Sequence, residues 1–146
     1  MRGTKPDPDL REPMRWHRDP RAAGESRWKR FSAGDGPGVS VEAQQDDAHS
    51  LLARYRMLIG WRQKVPALRE GVLSVPAVSN PHLATWELAH AGTDVLVVHN
   101  LSREPQTLKL AGTLARFSRV RLASMPDARI DSGQLRLPAY ASVVLQ

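Results

Sequence analysis

Apolar and polar positions follow two different periods along this 146-residue chain, and one long stretch follows neither. In residues 47–64, "DAHSLLARYRMLIGWRQK", Leu51, Leu52, Tyr55, Leu58 and Ile59 recur at i, i+1, i+4, i+7 and i+8. That spacing gathers them on one stripe of a helix. Asp47 is the expected N-cap, Lys64 suits the negative end of the helix dipole, and Pro66 forbids continuation. Arg62 falls within the apolar stripe. The favoured reading is an arginine that buries its stem and carries its head to a carboxylate or carbonyl; a direct ligand contact is the alternative.

Residues 70–146 change to period two. "LATWELAH" sets Ala84, Trp86 and Leu88 on one face and Thr85 and Glu87 on the other, and "AGTD" turns the chain into "VLVVHN". That second run is apolar on both faces, as a central strand requires. Leu108 and Leu110, Val120 and Leu122, and Leu135 and Leu137 then alternate with polar residues, and "AYASVVLQ" closes the chain as a last strand. Arg119, Arg121 and Arg136 take the outward positions, where a solvated charge belongs. Six or seven short strands with turn signals between them predict an antiparallel sandwich of about 75 residues, near the lower size for independent stability.

Residues 1–45 show no period. Pro6, Pro8, Pro13, Pro20, Pro37 and the "AGDGPG" stretch make this an extended loop zone. Loops of that length are rare inside a compact domain unless they are functional or pack on something else. The expected fold is therefore mainly β: a C-terminal antiparallel β-sandwich preceded by a long loop and one α-helix.

Composition narrows the chemistry. With no cysteine, the chain has no disulfide, thiolate metal site or cysteine nucleophile. No run approaches the roughly 18 apolar residues of a membrane span, and residues 1–30 lack the apolar core of a secretory signal. The compartment is left open, and no membrane partner is expected. The net charge of +6 is dispersed: residues 1–38 carry nine basic and six acidic groups, 39–70 five and four, and 71–146 seven and five. Nucleic-acid binders concentrate such charge on one face, so no nucleic-acid partner is expected.

Candidate catalytic residues are sparse. Asp7, Asp9, Glu12, Asp19, Glu25 and Asp35 lie in the loop zone, and a pair of carboxylates roughly 5–10 Å apart is what a glycosidase uses. Each sits beside Pro, Gly or Arg, however, so turn formation or an arginine pairing accounts for it. His17, His49, His82, His90 and His99 show no metal-ligand spacing, no serine occupies a G-x-S-x-G elbow, and "GDGPG" lacks a phosphate loop's lysine. Neither metal nor cofactor is expected. Asn100-Leu101-Ser102 fits a glycosylation sequon that recurs by chance. Helix and strand burial account for Trp61 and Trp86. Trp16 and Trp28 sit in the loop zone, either as platforms for a sugar ring or as anchors on a neighbouring domain.

The order of these features resembles one family. "GTKPDPDLREPMRW" is similar to the segment after the last barrel strand in the α-amylase superfamily, glycoside hydrolase family 13, which reads G-x-K-P-D and then R-x-P-M-Q-W. "VSVEAQQDDAHSLLARYRMLIGWRQKVPALREG" resembles that family's V-E-x-Q stretch and last barrel helix, as in oligo-1,6-glucosidases and trehalose synthases. "DVLVVHNLSREPQTLKL" is similar to the central strand and turn of its C-terminal sandwich. The resemblance implies that residues 1–68 are the distal part of a catalytic (β/α)8 barrel and 69–146 a C-terminal all-β domain.

It also implies a retaining α-glucan hydrolase or transglycosylase whose three catalytic carboxylates lie upstream, so that no catalytic residue is assigned here and the chain alone is inactive. The implied partners are the missing barrel portion and, through the parent enzyme, an α-glucan or maltooligosaccharide. Arg11, Pro13, Met14 and Trp16 match R-x-P-M-x-W, with Arg15 in place of the usual glutamine and His17 in place of aspartate or serine. Arg11, Trp16 and Trp28 are the expected substrate-rim residues. The alternative is a free-standing carbohydrate-binding β-sandwich module.

Overall fold

The computed structural model describes residues 11–29, 36 and 38–146. The G-x-K-P-D turn, Asp7, Asp9, Asp35 and most of the glycine-rich 33–38 stretch lie outside them. The chain divides into two compact units, residues 1–61 and 62–146.

The first unit is loop and helix. Within the zone expected to be structureless, Val41–Gln45 forms a short helix, α1, because the Ser40 side chain accepts a hydrogen bond from the Ala43 N–H. The predicted long helix is present as α2, Leu51–Lys64, but it starts four residues late. Asp47 accepts from the His49 N–H in a local turn, and Ser50 supplies the cap instead, its Oγ accepting from Ala53 N at 3.1 Å. The apolar stripe forms and faces solvent: Leu51, Tyr55, Leu58 and Ile59 are all exposed, and α2 has no buried residue. Arg62 is likewise exposed rather than burying its stem.

The second unit is an antiparallel sandwich. A short helix, α3 (Ala67–Glu70), precedes β1 (Val72–Ser74), β2 (Leu83–Ala89), β3 (Val95–Asn100) and β4 (Gln106–Lys109). A 3-10 turn over Gly112–Arg116 leads to β5 (Val120–Ala123), β6 (Arg129–Asp131), β7 (Gln134–Leu137) and β8 (Ser142–Leu145). One sheet has five strands in the order β1-β2-β3-β8-β5, and the other has three in the order β4-β7-β6. As its two-faced apolarity predicted, β3 lies at the centre of the larger sheet.

Alternation builds the core. Leu83, Leu96, Val98, Val143 and Leu145 from the larger sheet meet Leu108, Leu135 and Leu137 from the smaller, with Phe117 and Leu114 filling one side. Arg119, Arg121 and Arg136 are exposed, as the pattern required. The β6–β7 connection is a two-residue turn in which Ser132 (φ 48°) and Gly133 (φ 73°) both take the left-handed conformation that tight hairpins need. At Gly71, which ends α3, an added Cβ would sit 2.3 Å from the Ala67 carbonyl oxygen, so only glycine fits.

Two side chains organise the sandwich beyond its apolar core. Asn100 is 2% exposed, and its amide nitrogen donates to the carbonyls of Glu104 at 2.8 Å and Pro138 at 2.9 Å. Its Oδ1 accepts from both the backbone N–H and the hydroxyl of Ser102. Three chain segments are thereby tied at one buried point. Arg116 lies over the Phe117 ring at 4.6 Å and pairs with Glu87.

Candidate functional site

The loop of the first unit is held by carboxylates that bond to backbone. Glu25 Oε1 accepts from the N–H groups of Trp16, at 2.8 Å, and of His17. Glu42 Oε2 accepts from Arg18 N at 2.7 Å, and Arg18 Nη2 reaches Asp46 Oδ2 at 2.6 Å. The start of α1 adds two backbone bonds, Val41 N to Arg15 O and Glu42 N to Trp16 O, both at 2.9 Å. Residues 15–18 are thus fixed from two sides before any ligand arrives, which lowers the entropy a ligand must overcome. Gln44, the other fixed letter of V-E-x-Q, serves the next element: its Oε1 accepts from the Leu52 N–H at 3.0 Å, and its carbonyl accepts from the Ser50 hydroxyl at 2.7 Å.

Trp16 stands on this clamp with 52% of its surface exposed. It borders an open cavity of about 570 Å³ lined by Trp16, His17, Gly24, Val41, Glu42 and Gln45. His17 Nδ1 lies 3.9 Å from Glu42 Oε2 within it. A flat indole beside an imidazole, a carboxylate and an amide can meet the apolar face and the hydroxyls of a sugar ring. Of the three expected rim residues, Trp16 borders this cavity and Arg11 and Trp28 do not; both are exposed elsewhere in the unit. Arg15, which stands where the family has glutamine, is 5% exposed and donates from Nη2 to the Arg18 carbonyl at 3.0 Å. Its burial gave no sequence signal, because the loop that covers it has no period.

In the second unit, His99 and Ser142 make the one contact that looks like a nucleophile and its base: Nδ1 and Oγ are 2.6 Å apart. Register accounts for it, since the two residues are direct cross-strand partners on the larger sheet's outer face. The imidazole stacks on Trp86, with ring centroids 4.8 Å apart, rather than on an orienting carboxylate. Burial lowers its pKa from the ordinary 6.5, which favours the neutral ring. Among the described residues no group of three His, Cys, Asp or Glu side chains could hold a metal ion, and no helix is long and apolar enough to cross a membrane.

Residues 83–144, from β2 through most of β8, match the family of the alpha-amylase SusG C-terminal domain. Over those residues the chain is similar to an α-amylase-family C-terminal domain. Beyond that domain, the whole chain aligns with alpha-amylase 3 of Dictyoglomus thermophilum at 24% identity, covering 29% of that protein. With alpha-amylase SusG of Bacteroides thetaiotaomicron it shares 30% identity over 99% of its own length and 22% of the relative's. A trehalulose synthase MutB structure superposes on 91% of the chain with a TM-score of 0.73 at 22% identity, using 24% of that protein. The chain thus spans between a fifth and a third of the length of these relatives. The mainly β architecture expected from its alternation is the one the superposition shares.

Proposed function

We propose that this chain is the C-terminal portion of a retaining α-glucan hydrolase or transglycosylase, and that it has no glycosidase activity alone. In the parent enzyme an α-glucosidic bond would be cleaved by double displacement, with nucleophile and acid carboxylates from barrel strands upstream. Residues 1–68 would contribute the last barrel helix and the rim of the active site, with Arg11, Trp16 and Trp28 facing glucan. The sandwich would brace the barrel. One observation carries this reading: α2 presents an ordered apolar stripe with no buried residue, the state of an amphipathic helix whose partner layer is another part of the molecule. The carboxylates of Glu25 and Glu42 agree, since both serve backbone N–H groups.

The test is threefold. The 146-residue chain should release no glucose from maltooligosaccharides, should self-associate in sedimentation velocity through the bare stripe, and should follow coding sequence for a barrel with three carboxylates in the DNA upstream of Met1. A monomeric, amylolytic preparation would refute the proposal. The exposed indole of Trp16 beside a polar cavity favours a second reading, a free-standing carbohydrate-binding module. Calorimetric titration with maltoheptaose separates the two, because the module releases heat that Trp16→Ala abolishes, and the rim without its barrel releases none.

A further inference from the structure

The outer face of the three-stranded sheet carries a charge arrangement that the core does not require. Register sets Arg129 of β6 directly opposite Arg136 of β7, with Thr107 of β4 on the other side of Arg136. The adjacent row, Leu108, Leu135 and Ile130, faces the core, so alternation turns the arginine row outward. Directly opposed side chains have Cβ atoms about 5 Å apart, and like charges placed there are destabilising.

Nearby acids offset this pair only in part. Asp131 Oδ2 forms an exposed ion pair with Arg136 Nη2 at 3.6 Å, and Arg129 Nη1 donates to the Asp127 carbonyl at a long 3.3 Å. With Lys109 in the next row, the face holds three cations against the carboxylates of Asp127 and Asp131. A cavity of about 430 Å³ opens over the pair, and Thr107, Arg129, Gln134 and Arg136 line it together with Asp127. Its lining includes no aromatic ring, so a neutral sugar has no stacking platform there.

We propose that this cavity binds a phosphate-class oxyanion between the guanidinium groups of Arg129 and Arg136, with the Thr107 hydroxyl and the Gln134 amide as further donors. Two planar forks can each give paired N–H bonds to a tetrahedral oxyanion, and an anion between them turns their repulsion into attraction. The phosphate is the recognised group, whether free or as a monoester on a sugar. The site lies within the sandwich and does not depend on the proposed glucan activity.

The test follows backbone amides of the 146-residue chain by NMR during titration with inorganic phosphate, a glucose phosphate ester and glucose, at ionic strength held constant with sodium chloride. Saturable shifts at Thr107, Arg129, Gln134 and Arg136 are expected, with a midpoint below about 10 mM. Equal response to both phosphates identifies the oxyanion alone as ligand, and response to the ester alone identifies a sugar phosphate. Binding should weaken at least tenfold in the Arg129→Gln/Arg136→Gln double variant and persist in Arg119→Gln/Arg121→Gln. Should the double variant unfold, Arg136→Lys keeps the charge, loses the fork and should still bind more weakly. No saturable shift with either phosphate, equal shifts with glucose, or unchanged binding in the folded double variant would overturn the proposal.

Discussion

Residues 62–146 bury Phe117, Leu96, Leu135 and Leu145 almost completely, whereas residues 51–59 of α2 leave Leu51, Tyr55 and Ile59 in solvent. Both segments have a regular apolar period, so the difference is one of closure. Two sheets facing each other satisfy each other's apolar faces within one unit. One amphipathic helix and a loop cannot, and their order comes from hydrogen bonds instead: the carboxylates of Glu25 and Glu42, the Ser50 cap and the Gln44 bridge. A regular pattern therefore reports that a face is meant for burial, and says nothing of whether its partner lies in the same chain.

The strongest way to break this contrast is to separate the units. Residues 62–146 expressed alone should retain a cooperative thermal transition, and residues 1–61 alone should show none by circular dichroism. Loss of cooperativity in the sandwich would mean that its core is incomplete. Truncation within the full chain gives the next largest effect. Leu135→Ala or Phe117→Ala should cost about 3–5 kcal/mol in urea unfolding, because each leaves a cavity in a closed core. Ile59→Ala, at a position already 54% exposed, should stay within about 0.5 kcal/mol.

Smaller effects test the polar supports. Asn100→Ala should cost about 2–3 kcal/mol, since it strands buried carbonyls and the Ser102 N–H. Asn100→Asp keeps the acceptor and loses the donors, so it should recover only part of that. The mildest effect concerns His99. Its folded pKa lies below the ordinary 6.5, so the unfolded chain binds the extra proton first. Stability should be level above about pH 6.5, and should fall as pH drops from there through the folded pKa. His99→Gln should flatten that slope in thermal midpoints measured between pH 7.5 and pH 5.

Much of the sandwich was legible in the sequence because its signals are local. Period two located β2, β4, β5 and β7, and the two-faced apolarity of "VLVVHN" located β3 at the centre of the sheet. Where tertiary geometry decides, the sequence was silent. On β2 the core side is Leu83 and Thr85, and Trp86 turns outward to stack on His99, because the larger sheet carries apolar residues on both faces. In β5 the register shifts between Val120 and Leu122, so those two residues do not share a face as strict alternation expected. The loop was least legible. Nothing in the spacing of Glu25 and Glu42 announces two clamps on residues 16–18, and the cavity they shape emerges only once the chain has doubled back. Among the proposed rim residues only Trp16 reaches that cavity, and its exposure could be anticipated only from its place in a loop without a core.

Asn100 has a consequence for anyone producing this protein. Its nitrogen is the atom to which an oligosaccharyltransferase would attach a glycan in the Asn100-Leu101-Ser102 sequon. In the folded chain that same nitrogen lies between the Glu104 and Pro138 carbonyls. In a eukaryotic secretory host, modification and folding would compete for one atom during synthesis, and a chain that acquires the sugar first could not close the junction. Yield there would be set by that race, and a bacterial cytoplasm removes the competitor.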